Sequence, residues 1–508
     1  MKKSTWTLTF ILLALGWAQA QEIVSTRSGK ASGTTSSDGA VRSFKGIPFA
    51  APPVGELRWK APQPVASWDG VRPCTAFGPS PMQRKPAPFS MWSREFLIPD
   101  EPISEDCLYL NVWTGAKNTQ AKLPVLVWIY GGGFSSGGSG VPIYDGEAMA
   151  RKGILFVSTN YRVGIFGFFA HPELTKESGH NASGNYGLMD QVAALKWVNE
   201  NIAAFGGDPA NVTIAGQSAG SMSVSCLMAT PLAKGLFERA IGESGANFDR
   251  NQSSLEQAEK AGLEAAKSLN ASTLADLRSK PAEELMKARG TRGPIIDGYV
   301  LPDQVADIFS AVKQNQADLL TGWNEQEDLL FGPTRSAEQY KRQIKEQYGE
   351  KAAMFLSFYP ASDDEEATRS QLNASRDMIF GAQNYTWANV QAKQAKASVY
   401  VYRFKRKVPG TGQYAKYGAF HTGEVPYAYD NLKFVDRPWE PIDRELATTM
   451  SDYWVNFIKR GDPNGKDLPK WPAYDLNGKQ VMVLDTKVEA RPIPDQAALD
   501  FLCSVPKP

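Results

Sequence analysis

The sequence predicts an α/β fold: a large, mainly parallel sheet covered by helices on both faces, with helical insertions over the ends of its strands. Three observations carry that prediction. Apolar, strand-like runs alternate with segments of helical spacing through most of the chain, as a parallel sheet with crossover helices requires. Two of the strand-like runs, residues 124–130 and 154–159, are nearly continuous in apolar and β-branched residues, the mark of strands buried on both faces. One of them, residues 211–215, turns without a linker into a helix-like run, residues 221–227.

In chain order, residues 124–130 (PVLVWIY) and 154–159 (ILFVST) read as buried strands, with a Gly-rich loop between them. Residues 186–202 place Leu188, Val192, Leu195 and Val198 at helical spacing, and residues 444–460 repeat the pattern through Leu446, Met450, Trp454 and Phe457. Residues 318–322 and 399–404 are further strands. Residues 253–290 and 335–397 are more polar and helix-rich, and read as insertions above the strand ends, where sites lie in open α/β sheets.

The junction at Gly216-Gln217-Ser218-Ala219-Gly220 is a mechanical claim as much as a pattern. A strand that reverses at once into a helix forces its central residue into strained geometry, and only small neighbours fit beside it. Such a turn would expose the Ser218 hydroxyl above the carboxyl end of the sheet. A serine hydroxyl is a poor nucleophile near neutral pH and needs a general base. The chain has 3 histidines. His171 and His180 lie in early loops and read as surface or structural residues. His421 lies in a late loop beyond the 399–404 strand, where a base of such a fold belongs. The third member orients the imidazole. The strand end at 318–322 leads into Glu325, Glu327 and Asp328, and composition does not choose among them. Gly131-Gly132-Gly133-Phe134 follows the strand ending at Tyr130, so its N–H groups, with that of Ala219, can meet a developing oxyanion.

Composition narrows the class. The 508 residues carry 55 basic and 54 acidic side chains, without the basic stripe expected of a nucleic-acid binder. Residues 1–20 read as a secretory signal: Lys2 and Lys3, an apolar run from Leu8 to Leu15, then Ala18-Gln19-Ala20 with cleavage after Ala20. The apolar run is shorter than the about 20 residues that span a bilayer, so no stable membrane anchor is expected. Residues 21–508 then form one catalytic domain in a secreted or periplasmic protein. Export makes the 4 cysteines disulfide candidates. Cys74 and Cys107 flank a Pro-rich segment; Cys226 and Cys503 read either as a second pair or as buried free thiols.

Several segments together resemble the type-B carboxylesterases, the α/β-hydrolase branch that includes cholinesterases and many microbial esterases. They are residues 44–50 (FKGIPFA), 105–112 (EDCLYLNV), 128–134 (WIYGGGF), 160–162 (NYR), 184–188 (GNYGL) and 205–209 (FGGDP). The resemblance covers nearly the whole chain. It implies Ser218 as nucleophile, His421 as base and, through a Gly-x-x-x-x-Glu segment falling on Gly322 and Glu327, Glu327 as the acid. It implies Gly132, Gly133 and Ala219 as oxyanion donors and a Cys74–Cys107 disulfide. Glu105 and Asp106 fall in a structural polar cluster, and Ser244 is a poor rival nucleophile because Ala246 replaces the last glycine of an elbow. Cholinesterases carry Glu where this chain has Gln217, and a choline-binding Trp at the position of Leu97, with Trp92 further off. Choline esters are therefore not expected.

The sequence thus points to a secreted serine carboxylesterase acting on a small-molecule ester without a metal or organic cofactor. Amide or lactam hydrolysis on the same triad, and a non-catalytic adhesion protein on the same fold, are the rivals. Phe134, Phe248 and Trp323 follow site segments and read either as pocket lining or as core.

Overall fold

The computed structural model of the chain describes residues 22–288, 293–327, 329, 332–393 and 397–505. The expected signal at 1–20 and Asp328 lie outside them. Among the described residues, the main sheet has eleven strands. We number them β1 (Thr34–Thr35), β2 (Arg42–Pro48), β3 (Tyr109–Thr114), β4 (Leu123–Ile129), β5 (Leu155–Thr159), β6 (Gly207–Gln217), β7 (Arg239–Glu243), β8 (Asp318–Asn324), β9 (Val399–Phe404), β10 (Gln480–Leu484) and β11 (Glu489–Pro492). Their spatial order is β11-β10-β9-β8-β7-β6-β4-β5-β3-β2-β1. From β5 across to β10 every neighbouring pair is parallel, and antiparallel pairs close both edges. This is the large, mainly parallel sheet that the apolar runs predict, in the α/β-hydrolase arrangement that the resemblance implies.

The order reverses at β4. The chain passes from β4 to β5 on one side, then crosses to β6 on the other, so the loops leaving β4 and β6 part above the sheet. Such a switch point opens a crevice at the carboxyl ends of the strands. The register brings those ends level: Ile129 lies opposite Gly216, Gln217 opposite Glu243, and Glu243 opposite Gly322.

Helices cover the sheet by burying their apolar stripes. Tyr186–Asn201 buries Leu188, Val192, Leu195 and Val198; Pro441–Arg460 buries Leu446, Met450, Trp454 and Phe457. The polar stretches also hold helices, Leu255–Ser268 among residues 253–290, and Ala337–Tyr348, Asp364–Arg376 and Ala382–Ala392 among residues 335–397.

The cysteines correct one expectation. Cys74, Cys107 and Cys226 are free thiols, so no Cys74–Cys107 bridge forms. Cys74 sits in an extended segment whose backbone bonds to Ser32 and Lys45. Cys107 instead borders a small cavity with Arg58, Trp59, Arg162 and Phe166. Each thiol is buried against its own neighbours, and burial pushes Cys74 up to about 11 and Cys107 well above the usual thiol range. Nor do Cys226 and Cys503 pair: Cys226 is buried and accepts from Asn247 Nδ2 at 3.2 Å, while Cys503 is exposed.

Candidate active site

At the end of β6 the chain has one residue in which to reverse. Ser218 takes φ 58° and ψ −125°, and the helix Ala219–Ala229 starts directly after it. A non-glycine residue in that region costs on the order of 1–3 kcal/mol, held here by the surrounding packing. Two bonds clamp the turn: Ser218 N–H donates to the Glu243 carbonyl at 2.8 Å, and Met222 N–H to the Ser218 carbonyl at 2.9 Å. The flanking glycines are steric necessities. A Cβ on Gly216 would run into the backbone of Gly220, and one on Gly220 into the Ile129 carbonyl. Ser218 is only partly buried, between buried Gln217 and Ala219.

The glycine loop leaving β4 lies against this elbow. A Cβ on Gly131 would stand 2.9 Å from Ser218 Cβ. Gly132 and Gly133, at φ 121° and 60°, are exposed at the mouth of the crevice. Among the described residues, the N–H groups of Gly132, Gly133 and Ala219 donate to no protein acceptor. A cavity of about 340 Å³ opens beside the loop, bordered by Met82, Gln83, Ser135, Ser136, Ile165 and Phe166.

His421 and Glu327 meet across two loops. His421 Nδ1 and Glu327 Oε2 are 2.6 Å apart, and both side chains are almost wholly buried. Glu327 Oε1 accepts the Asn324 N–H at 2.8 Å, and its carbonyl accepts the His421 N–H at 3.3 Å. Glu325 is turned elsewhere, into ion pairs with Arg403 at 3.0 Å and Lys405 at 3.5 Å. The other histidines have structural work: His171 accepts the Glu173 N–H at the start of a short helix, and His180 stacks on Tyr299 at 4.0 Å.

The residues touching the imidazole were mostly invisible in the sequence. Phe380 stacks on it at 4.6 Å and 24°, from a π-helical turn, Asp377–Gly381, in the second insertion. Such turns often mark functional sites, yet no sequence signal distinguishes this one. Trp92 meets the ring edge-on at 6.3 Å, and its Nε1 donates to Thr422 Oγ1 at 3.2 Å. Gln217 Nε2 lies 3.2 Å from His421 Nε2 and 3.4 Å from Nδ1. Near-equal distances place the amide across the ring rather than in line with either nitrogen's lone pair.

The three aromatics left open above are core. Phe134 packs on Phe168 at 5.2 Å, Phe248 on Phe309 at 5.1 Å and Trp387 at 6.0 Å, and Trp323 lies under the Arg403 guanidinium at 5.0 Å. Glu105 is bound by Arg58 through two hydrogen bonds, at 2.5 and 2.7 Å, a structural pair. Ser244 is fully buried.

Comparison with known proteins agrees with this architecture. The family model described as "Carboxylesterase family" matches residues 20–502. The chain belongs to the carboxylesterase family. It is 36% identical over 487 residues to the fumonisin B1 esterase of Sphingopyxis macrogoltabida, covering 91% of this chain and 86% of that protein. It is 36% identical over 492 residues to the para-nitrobenzyl esterase of Bacillus subtilis (strain 168), covering 92% and 95%. Among solved structures, a PNB esterase superposes with TM-score 0.82 at 33% identity, covering 95% of this chain and 99% of that one. The protein is a carboxylic ester hydrolase, whose family implies small-molecule ester substrates. Among the described residues, no helix is long and apolar enough to cross a membrane.

Proposed function

We propose that this carboxylesterase works through an acyl-enzyme on Ser218, with His421 as general base, Glu327 as its orienting acid, and the N–H groups of Gly132, Gly133 and Ala219 as oxyanion donors. The observation that carries the reading is the 2.6 Å contact between His421 Nδ1 and Glu327 Oε2. A carboxylate only accepts, so Nδ1 carries the ring proton and the Nε2 lone pair is left for the serine. Ser218 Oγ attacks the ester carbonyl as Nε2 takes its proton. The carbonyl oxygen, now negative, meets the three free N–H groups at the start of the Ala219–Ala229 helix and in the glycine loop. The imidazolium gives its proton to the departing alcohol. Water, deprotonated by the same nitrogen, then releases the acid and restores Ser218.

The chemistry of the acid and alcohol is set by the walls around this site. Phe380 and Trp92 flank the base, and the cavity beside the glycine loop is lined by apolar and polar groups, among them the Arg84 side chain. The relatives are named for unlike esters, a fumonisin and a para-nitrobenzyl ester, so the substrate is expected to follow these walls rather than the triad. Export is part of the same proposal, supported by Lys2, Lys3, the 8–15 apolar run and Ala18-Gln19-Ala20. N-terminal sequencing of protein recovered from the periplasm or medium would find Gln21 first.

The test is a panel of esters varying in acyl and alcohol groups, with matched amides, run on wild type and Ser218→Ala. We expect burst release of alcohol on wild type, ester turnover well above amide turnover, and loss of about 10⁴-fold or more in kcat in the variant with the far-UV spectrum unchanged. Near-wild-type turnover by Ser218→Ala would remove the nucleophile from the proposal. Amide turnover exceeding that of matched esters would favour the amidase reading.

A further inference from the structure

Directly beneath the elbow lie two buried carboxyl groups that the mechanism above does not use. Glu243 ends β7, and its carbonyl holds the Ser218 N–H. Glu424 follows His421 by three residues. Both are fully buried. Each has one satisfied oxygen: Glu243 Oε1 accepts from Tyr429 Oη at 2.9 Å and Trp454 Nε1 at 2.8 Å, and Glu424 Oε2 accepts from Asn324 Nδ2. Each also has one buried oxygen, Glu243 Oε2 and Glu424 Oε1, with no partner among the described residues. The Tyr402 hydroxyl, which feels the charges of Glu424, Glu243 and Glu327, is buried and unpartnered as well.

The groups facing this cluster are Tyr144, Tyr402, Tyr429, Trp454, Asn324, Glu327 and, beyond Glu327, His421. Among the described residues, neither lysine nor arginine forms an ion pair with Glu243, Glu424 or Glu327. Three carboxylates in a buried interior, offset only by an imidazolium that forms transiently, could not all stay ionised. Asn324 joins the parts. Its N–H donates to Glu327, and its side-chain amide to Glu424 and to the carbonyl of Phe420, the residue before the base.

We propose that Glu243 and Glu424 form one acid pair that holds a single proton near neutral pH, and that both are positioning residues, acting on the site through Asn324 and the backbone of Ser218. Burial accounts for the retained proton. It pushes the Glu243 carboxyl from the ordinary 4.5 up to about 7. Burial, then the charges of Glu243 and Glu327, push Glu424 well above the glutamate range. The two titrate as a unit. Ionising the pair fully adds a second negative charge beneath Ser218, where the oxyanion must also develop, so kcat should fall on the alkaline side.

The sign for stability follows from the same proton. An acid whose folded-state pKa is raised gives the folded protein more bound protons than the unfolded chain between about 4.5 and about 7. Its favourable share is therefore present at low pH and lost as pH rises through that window. Glu243→Gln keeps acceptance from Tyr429 and Trp454 and supplies a permanent donor toward Glu424, so it cannot lose that share.

The test measures Tm of wild type, Glu243→Gln and Glu424→Gln from pH 5 to 8, beside the pH profile of kcat. We expect the Tm advantage of the Gln variants over wild type to grow with pH, and the alkaline fall in kcat to flatten or move up by at least one pH unit. A Tm difference constant across the range, or an alkaline limb unchanged in both variants, overturns the proposal. Glu424→Gln carries the test if Glu243→Gln does not fold. The catalytic half rests on the Ser218 mechanism; the Tm comparison needs no turnover and decides the pair even if that mechanism fails.

Discussion

The two halves of the site are held in different ways. The nucleophile half is built by backbone against backbone: Gly131 against Ser218, Gly216 against Gly220, Gly220 against Ile129. The base half is built by side chains that bridge two distant segments, His421 and Glu327 being 94 residues apart, with Asn324 at the end of β8 and Glu327 just after it on one side and His421 and Glu424 on the other. The first half is specified by what must be absent, a Cβ. The second is specified by which polar atoms face each other after distant strands align. Steric change should therefore break the nucleophile half as structure, whereas isosteric chemical change should break the base half as function.

The largest effect expected in this comparison is Glu327→Gln. The amide fits the space but can no longer fix Nδ1–H as the donor, so kcat should drop about 10³–10⁴-fold with Tm nearly unchanged. The acid limb of the wild-type profile should reflect loss of the free imidazole. A rate flat from mildly alkaline conditions down to pH about 5 would contradict His421 as base. An equal loss of Tm and kcat would show that the base half is as structural as the elbow.

Gly220→Ala should act in the opposite sense. Its methyl meets the Ile129 carbonyl, backbone that cannot swing aside. We expect destabilisation of ~1–3 kcal/mol or more, read as a lower denaturation midpoint or insoluble protein. A stable variant that has lost only activity would blur the distinction between the halves.

Phe380→Ala gives the smallest effect. It removes the ring stacked on His421 but no hydrogen bond. A freer imidazole should lower kcat about 10-fold, and ester preference should shift toward bulkier groups, read on the same ester panel. No change in either would mean that the ring packs the core and does not guide the base.

Much of the frame was legible before the structure. The β4 and β5 runs are nearly continuous in apolar and β-branched residues, and the helix stripes at 186–202 and 444–460 are plain, because burial on both faces or on one stripe leaves a trace in the pattern. The strands run slightly past the expected ends, to Gln217 in β6 and Asn324 in β8. Those extra residues bring Gln217 against the base and Asn324 against Glu327. The partners of the imidazole left no trace, since Phe380 and Trp92 come from an insertion and a loop with no period. The cysteines misled for a related reason: spacing in sequence carries no information about which way two thiols face.

By itself the sequence determined the sheet, the strand-to-helix turn at Ser218 and the glycine loop before it, all local consequences of apolar period and small residues. Only the tertiary structure showed the contact between His421 and the Glu327 that the resemblance implies, which aromatics face the base and which lie in the core, that Cys74 and Cys107 stay apart, and that Glu243 and Glu424 are buried near one another. Those are relations between residues far apart in the chain. They exist only once β6, β7, β8 and the loop after β9 are brought level, and no property of any one segment encodes them.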